Sequence, residues 1–370
     1  MLYVLLFLLI LFFFVNNVMQ KIIYRNLFYN IYPSKEVIEF GEEVKLVFQL
    51  ENRKKLPITF LEAFLEVPKG MYFKNKKNKI TNEMYFSFQT VLMPYQRRVR
   101  EYTVLFKRRG LYVINNAYLQ VGDILGLSTK EISFYINKSV IVLPNKLNFE
   151  EVLIPYGSTM GNISVKRFIL DDPTMIVGLR EYTGFEPQKN IHWPTSLRLN
   201  KLMVKNFDYT TDSTVMIVVN VESYKPFYYS IDSKKIEDCI SIARDICEKL
   251  HDSKISYGIS INSQITSSNN EIIHYGLTEH HRYNVLKLLG MVDYNVSMPF
   301  EDYLEYLMPI CSNYSSFVLI LPKVFEEYIL NIERISKEVN KLIIIAASRD
   351  NLELLSSNNI ETYVIGGDFN

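Results

Sequence analysis

The sequence predicts a multi-domain chain: an N-terminal transmembrane helix, an antiparallel β-sandwich, then a doubly wound α/β domain. Three observations predict it. Residues 1–20 carry no charged side chain, and residues 1–15 are continuously apolar. Residues 31–143 hold short, partly alternating strand patterns broken by turn residues. Beyond residue 210, continuous apolar runs alternate with segments of helical spacing. The expected divisions are an anchor (1–20), a sandwich (21–150), a linker segment with a dense motif (151–210) and an α/β domain (211–370).

Twenty helical residues rise about 30 Å, the depth of a bilayer core. Lys21 and Arg25 follow the apolar run, and only the α-amino group precedes it. The positive-inside rule then predicts a single-pass cell-membrane protein with its soluble domains in the cytoplasm. A basic leader and a small-residue cleavage site are both missing, which favours an anchor over a cleaved export signal.

The 41 basic and 40 acidic residues nearly cancel, giving +1, so the chain lacks the global basicity of a nucleic-acid binder. Hydrophobic residues at 48% support sizeable cores and exclude a disordered chain. Cys239, Cys247 and Cys311 cannot form a disulfide framework, and the five histidines show no zinc-type pairing with them. Charge is unevenly placed. Residues 21–150 hold 21 Lys and Arg against 12 Asp and Glu, whereas residues 151–370 hold 20 against 28. A basic proximal half suits an anionic membrane leaflet, at about 1 kcal/mol per basic residue. Solvated loops and protected strand edges produce the same pattern.

In the proximal half, residues 44–50, 60–67, 101–106 and 138–143 read as strands, with Pro68-Lys69-Gly70 as a turn. Their spacing predicts a sandwich of immunoglobulin-like size. No cysteine lies here, so no disulfide can join the sheets. Neither paired carboxylates nor a nucleophile arrangement is present.

Residues 178–198 are unusually rich in polar and aromatic groups and include the only tryptophan. Arg180, Lys189 and Arg198 surround Glu186 in sequence, which allows an ion-pair network, and Trp193 could pack on an arginine face. Such a motif is either a partner-binding surface or a structural joint whose buried arginines must be paired. Glu186, His192 and Ser196 also suggest acid–base or hydrolytic chemistry, a weak signal without a metal or nucleophile partner.

These residues resemble a known bacterial family, the domain of unknown function 58. Its signature runs approximately R-x-Y-x-x-G-D-x-x-R-x-I-x-W-x-x-S-A-R. Arg180, Tyr182, Ile191, Trp193, Ser196 and Arg198 match it, while Phe185, Glu186, Lys189 and Leu197 depart from it, two of them with charge kept. Arg109-Gly110-Leu111-Tyr112 resembles the family's R-G-x-Y, and residues 122–127 resemble its D-P-F-G-L. The resemblance spans nearly the whole chain. It implies a von Willebrand factor A-like fold distally and a membrane-anchored accessory role beside MoxR-type AAA+ ATPases and other membrane proteins.

In the distal half, residues 214–221, 254–261, 272–275, 317–321 and 342–346 read as strands, with 362–365 as a possible edge. Helices are predicted over 232–250, 279–290 and 324–339. Ile236, Ile240, Ala243, Cys247 and Leu250 share a face of the first, which makes Cys239 and Cys247 core residues. Ligands of such sheets bind beyond the carboxyl ends of strands, at the switch point. The A-like resemblance implies a possible adhesion-type metal site there, at Asn220, Glu222 and Tyr224. Those positions depart from D-x-S-x-S, and Leu321-Pro322 stands where a second acidic ligand is expected. Thr278 is a candidate threonine ligand, and His280-His281 is expected at a helix start. No metal is therefore expected. With neither G-x-x-x-x-G-K-[ST] nor G-x-G-x-x-G present, no nucleotide and no cofactor is expected.

The function these observations predict is a membrane-anchored, non-enzymatic scaffold or adaptor. It touches membrane lipid through its N-terminal helix and works by protein contacts, with an AAA+ ATPase as the implied partner. The alternatives are divalent-metal-dependent ligand binding through the A-like domain, or a hydrolase.

Overall fold

The computed structural model describes residues 25–74, 80–82, 84–122, 129–156, 176–184, 188–207, 214–265, 272–355 and 359–366. The chain divides into two compact units, Met1–Leu143 and Pro144–Asn370.

The first unit is a β-sandwich. Its strands are β1 (Leu27–Pro33), β2 (Val37–Ile38), β3 (Val44–Asn52), β4 (Ile58–Glu66), β5 (Met71–Phe73), β6 (Ile80–Asn82), β7 (Tyr85–Leu92), β8 (Arg97–Phe106), β9 (Gly110–Gly122) and β10 (Thr129–Val142). One sheet has the order β1-β3-β8-β5, the other β2-β10-β9-β4-β7-β6. Strand alternation builds the core: Leu27, Tyr29 and Ile31 of β1 point inward, while Phe28 and Asn30 point out. Phe48 sits at the centre, with the rings of Phe86, Phe88 and Tyr102 within 5.6 Å of it. Burying such a ring contributes about 1.5–3 kcal/mol.

Arg109-Gly110-Leu111-Tyr112 forms a structural corner. The Tyr112 hydroxyl donates to the Arg108 carbonyl at 2.8 Å, and its ring packs on Phe106. Gly70, at φ +90°, faces it, and a Cβ there would lie 3.1 Å from the Tyr112 hydroxyl. Positive φ and this close approach together require glycine.

The second unit contains α1 (Phe149–Val152), β11 (Leu153–Pro155), β12 (Ile176–Glu181), α2 (Trp193–Leu199), β13 (Met203–Phe207), β14 (Thr214–Asn220), α3 (Ser233–Asp252), β15 (Ser256–Asn262), β16 (Ile272–Gly276), α4 (Glu279–Met291), α5 (Phe300–Leu307), β17 (Ser316–Leu321), α6 (Glu326–Glu338), β18 (Lys341–Ala346) and β19 (Ile360–Ile365). Seven strands form one sheet, ordered β11-β19-β18-β17-β14-β15-β16. Strands buried on both faces explain the continuous apolar runs. Val215, Ile217 and Val219 pack with α3 and α4, while Met216 and Val218 pack with α5 and α6. The buried Cys239 and Cys247 lie in the first of these layers.

The predicted fold class needs correction. Strand outweighs helix, 43% against 27%, so the protein is mostly β. No helix of the described residues is long and apolar enough to cross a membrane. Residues 1–20, to which the anchor was assigned, lie outside the described residues. The distal sheet is mixed: its inner pairs are parallel, but β11–β19 and β15–β16 are antiparallel. Residues 362–365 are not an edge, because β11 pairs on the outer side of β19. The segment expected as a linker, 151–210, belongs to the second unit and contributes β11 to its main sheet.

Candidate functional site

From β14 the chain proceeds to β15 and β16 on one side, then returns to β17, β18 and β19 on the other. The order therefore reverses beside β14, and its carboxyl end opens at the switch point, where ligands of such sheets bind. Asn220 ends the strand, and its Oδ1 accepts from the Glu222 amide at 2.9 Å and from Asn262 Nδ2 at 3.2 Å. These bonds turn the chain away from the sheet and carry Glu222 inward.

Glu222 is fully buried, so its charge must be compensated. Its Oε2 accepts from the Phe300 amide, in the first turn of α5, at 2.8 Å. Its Oε1 lies 3.0 Å from the Lys225 ammonium, which also pairs with Glu301. The Tyr328 ring flanks the ammonium at 5.1 Å. Burial is the largest single influence on Lys225 and acts to lower its pKa, but Glu301 and Glu222 together outweigh it and hold the pKa above the ordinary lysine value. The Tyr328 hydroxyl is pushed up, first by burial and then by the charge of Glu222. A lysine cation thus sits between two carboxylates at the strand tip.

This lock fixes residues 223–232, the loop into α3. At its far end the Asp232 amide donates to Ser223 Oγ at 3.0 Å, and Asp232 itself caps α3 through the Lys235 amide. The Tyr229 amide donates to the Pro226 carbonyl, closing a turn between these ends. The loop then displays Tyr228 and Tyr229, 79% and 78% exposed, with Tyr224 and Ile231 beside them. Tyr224 is 40% exposed. Among the described residues, no group of three or more His, Cys, Asp or Glu could hold a metal ion.

Thr278 lies elsewhere, capping α4 by accepting from the His281 amide at 3.1 Å. His281 is half-buried and uses Nε2 to donate to the Tyr257 carbonyl at 2.8 Å. Burial lowers its pKa, partly offset by that bond. His280 is exposed.

The signature residues gather on a hairpin of β12 and β13 with α2. Arg180 pairs with Val204 in register, and Ile191 forms a bridge to the same residue. Ser196 is buried: its Oγ donates to the His192 carbonyl at 3.0 Å and accepts from the Met203 amide at 2.8 Å. His192 caps α2, its Nδ1 accepting from the Thr195 amide at 3.3 Å. Asn200 ends the helix in the left-handed region at φ 52°. The Ser196 hydroxyl and the His192 ring therefore serve backbone groups, not each other. Glu186 and the Lys189 side chain lie outside the described residues, so the expected ion-pair network falls outside them too. Lys201 instead pairs with Glu181 at 2.7 Å. Tyr182 donates its amide to the Leu202 carbonyl. Arg198 is exposed in the last turn of α2, and Trp193 and Leu197 project from the helix at 57% and 79% exposure.

Sequence reasoning missed Lys225, Glu301 and Tyr328. One signal was available: Phe300, Tyr303, Leu304 and Leu307 recur at helical spacing after Pro299, which would have placed Glu301 in a first turn.

No family model matches the chain, and no curated protein matches it. Among solved structures, the chain is similar to the CARDB domain of a Pyrococcus furiosus protein in complex with two metal ions, at 14% identity over 31% of this chain and 91% of that one, with a TM-score of 0.21. It is also similar to the seventh ScaB type I cohesin of Pseudobacteroides cellulosolvens, at 18% identity over 33% and 96%, with a TM-score of 0.22. A non-cellulosomal cohesin from Archaeoglobus fulgidus follows, at 12% identity over 29% and 90%, with a TM-score of 0.20. Similarity at this level carries no argument about what the chain does.

Proposed function

We propose that this protein is a non-enzymatic adaptor that binds another protein through the tyrosine-bearing loop, residues 223–232. One observation carries the reading: two tyrosines stand about four-fifths exposed on a loop whose ends are fixed by the Lys225 pair with buried Glu222 and by the Asp232 helix cap. Tyrosine supplies a large amphipathic contact with only two side-chain torsions to order, so a pre-fixed tyrosine loop loses little entropy on binding. The strand-tip cation position is taken by Lys225, which supports contact by surface in place of coordination. The resemblance to the domain of unknown function 58 family supplies the partner, a MoxR-type AAA+ ATPase.

In-cell crosslinking with mass spectrometry tests this. Wild-type protein should recover the ATPase with links to residues near the loop, and a Tyr228→Ser, Tyr229→Ser variant should lose them. Recovery of the ATPase at wild-type levels by the variant, or of no ATPase by either, contradicts the reading.

A further inference from the structure

The sandwich contains a cavity of about 560 Å³ that none of the preceding argument uses. It opens where β5 and the start of β7 face each other. Met71 and Phe86, both buried, form its floor, and Phe73 stacks on Phe86 with ring centroids 3.8 Å apart. Met84 stands at the mouth, 56% exposed. The volume falls within the range of small-molecule sites, which are mostly apolar with a few placed polar groups. Here the placed groups are cationic. Lys69 and Lys107 line the opening, both exposed, and among the described residues no carboxylate lines the cavity. The Lys107 ammonium lies 4.4 Å above the Tyr72 ring, which keeps it over the cleft.

Gly70 also lines the cavity; its carbonyl receives the Lys107 amide, and its missing Cβ lets the chain pass close to Tyr112. An apolar floor with two ammonium groups at the rim is complementary to one chemistry, an apolar tail ending in a negative head. We infer that this cavity binds a free single-chain anionic amphiphile, with the chain on Phe73, Phe86 and Met71 and the head between Lys69 and Lys107. The inference is independent of the loop reading, since it concerns the other unit.

The test uses full-chain protein carrying ¹³C-methyl methionine, titrated with octanoate and followed by NMR. The Met71 and Met84 methyls report at the cavity itself, and the other ten methionine methyls report binding elsewhere on the chain. Octanoate should shift the Met71 and Met84 methyls saturably, and octyltrimethylammonium should not. A Lys69→Glu, Lys107→Glu variant, altered only at exposed positions, should bind octanoate at least about tenfold more weakly. Equal shifts with both amphiphiles, no shift with either, or unchanged octanoate affinity in the variant would overturn the inference. So would shifts that appear only with phosphatidylglycerol vesicles, which would make the occupant a bilayer lipid.

Discussion

Two surfaces of the second unit are fixed by opposite means. The switch-point loop is held by buried charge: Glu222, sealed from water, satisfied by Lys225 and by the Phe300 amide. The signature hairpin is held by neutral bonds: the Ser196 hydroxyl between two backbone groups and His192 capping α2. Both display large apolar side chains, tyrosines on the loop and Trp193 with Leu197 on the hairpin. The difference teaches how each can fail. A buried charge pair fails abruptly, because removing one partner leaves the other uncompensated. A neutral bond fails by increments of about 1–2 kcal/mol.

Substitution at Glu222 sharpens that contrast most. Glu222→Ala strands the Lys225 ammonium and the Phe300 amide, and should cost about 3–5 kcal/mol in urea unfolding of the second unit. A loss below about 1 kcal/mol would mean the pair is no more than a surface contact.

The pH dependence follows from the raised Lys225 pKa. A group whose folded pKa exceeds its unfolded value of 10.5 contributes stability that is fully present below 10.5 and lost as pH rises through the folded value. The stability gap between wild type and Lys225→Met should therefore stay constant through neutral and mildly alkaline pH and shrink only above 10.5. A gap that closes near neutrality would break the assignment of Lys225 as the cation that compensates Glu222.

The hairpin should respond more gently. Ser196→Ala leaves the Met203 amide without its acceptor and should cost about 1–2 kcal/mol. Hydrogen exchange at Met203 should speed up while exchange in β14 stays unchanged, and equal acceleration at both sites would show that the two locks are not separate. The smallest effect on stability belongs to the displayed residues. Tyr228→Ser with Tyr229→Ser should stay within about 0.5 kcal/mol of wild type. The same pair should abolish partner crosslinking, which separates surface from scaffold.

The contrast also explains what the sequence made legible. Residues 214–221, 317–321 and 342–346 read as buried strands because both faces of the sheet are covered, so each run is almost continuously apolar. The helix expected over 232–250, observed as Ser233–Asp252, was equally plain, since Ile236, Ile240, Ala243, Cys247 and Leu250 repeat at its period. The edges were less plain. β16, with His274 and Tyr275 exposed, lacks a buried run, and β11 is three residues long, so the mixed character of the sheet had no strong signal. β10 is fourteen residues long, but exposed positions alternate along most of it, which left only its buried end visible as a strand.

At the site, Asn220 and Glu222 were singled out only because the family resemblance implies a metal site at those positions. Lys225 did not stand out. A lysine in a loop reads as solvated, and only the turn at Asn220 brings its ammonium onto Glu222. Ser196 and His192 were visible as polar residues, but their backbone partners follow from the helix start at His192 and the return strand at Met203, which residue types alone do not encode.

The central claim is that the Lys225 ammonium, and no divalent cation, compensates the buried Glu222 carboxylate at the end of β14. Thermal unfolding with and without divalent cation tests it most directly. Wild-type protein should melt at the same temperature in about 10 mM Mg²⁺ or Ca²⁺ as in EDTA, because a cation that does not bind the folded state cannot shift its stability. A rise in melting temperature with Mg²⁺ or Ca²⁺ that disappears in Glu222→Ala would contradict the account.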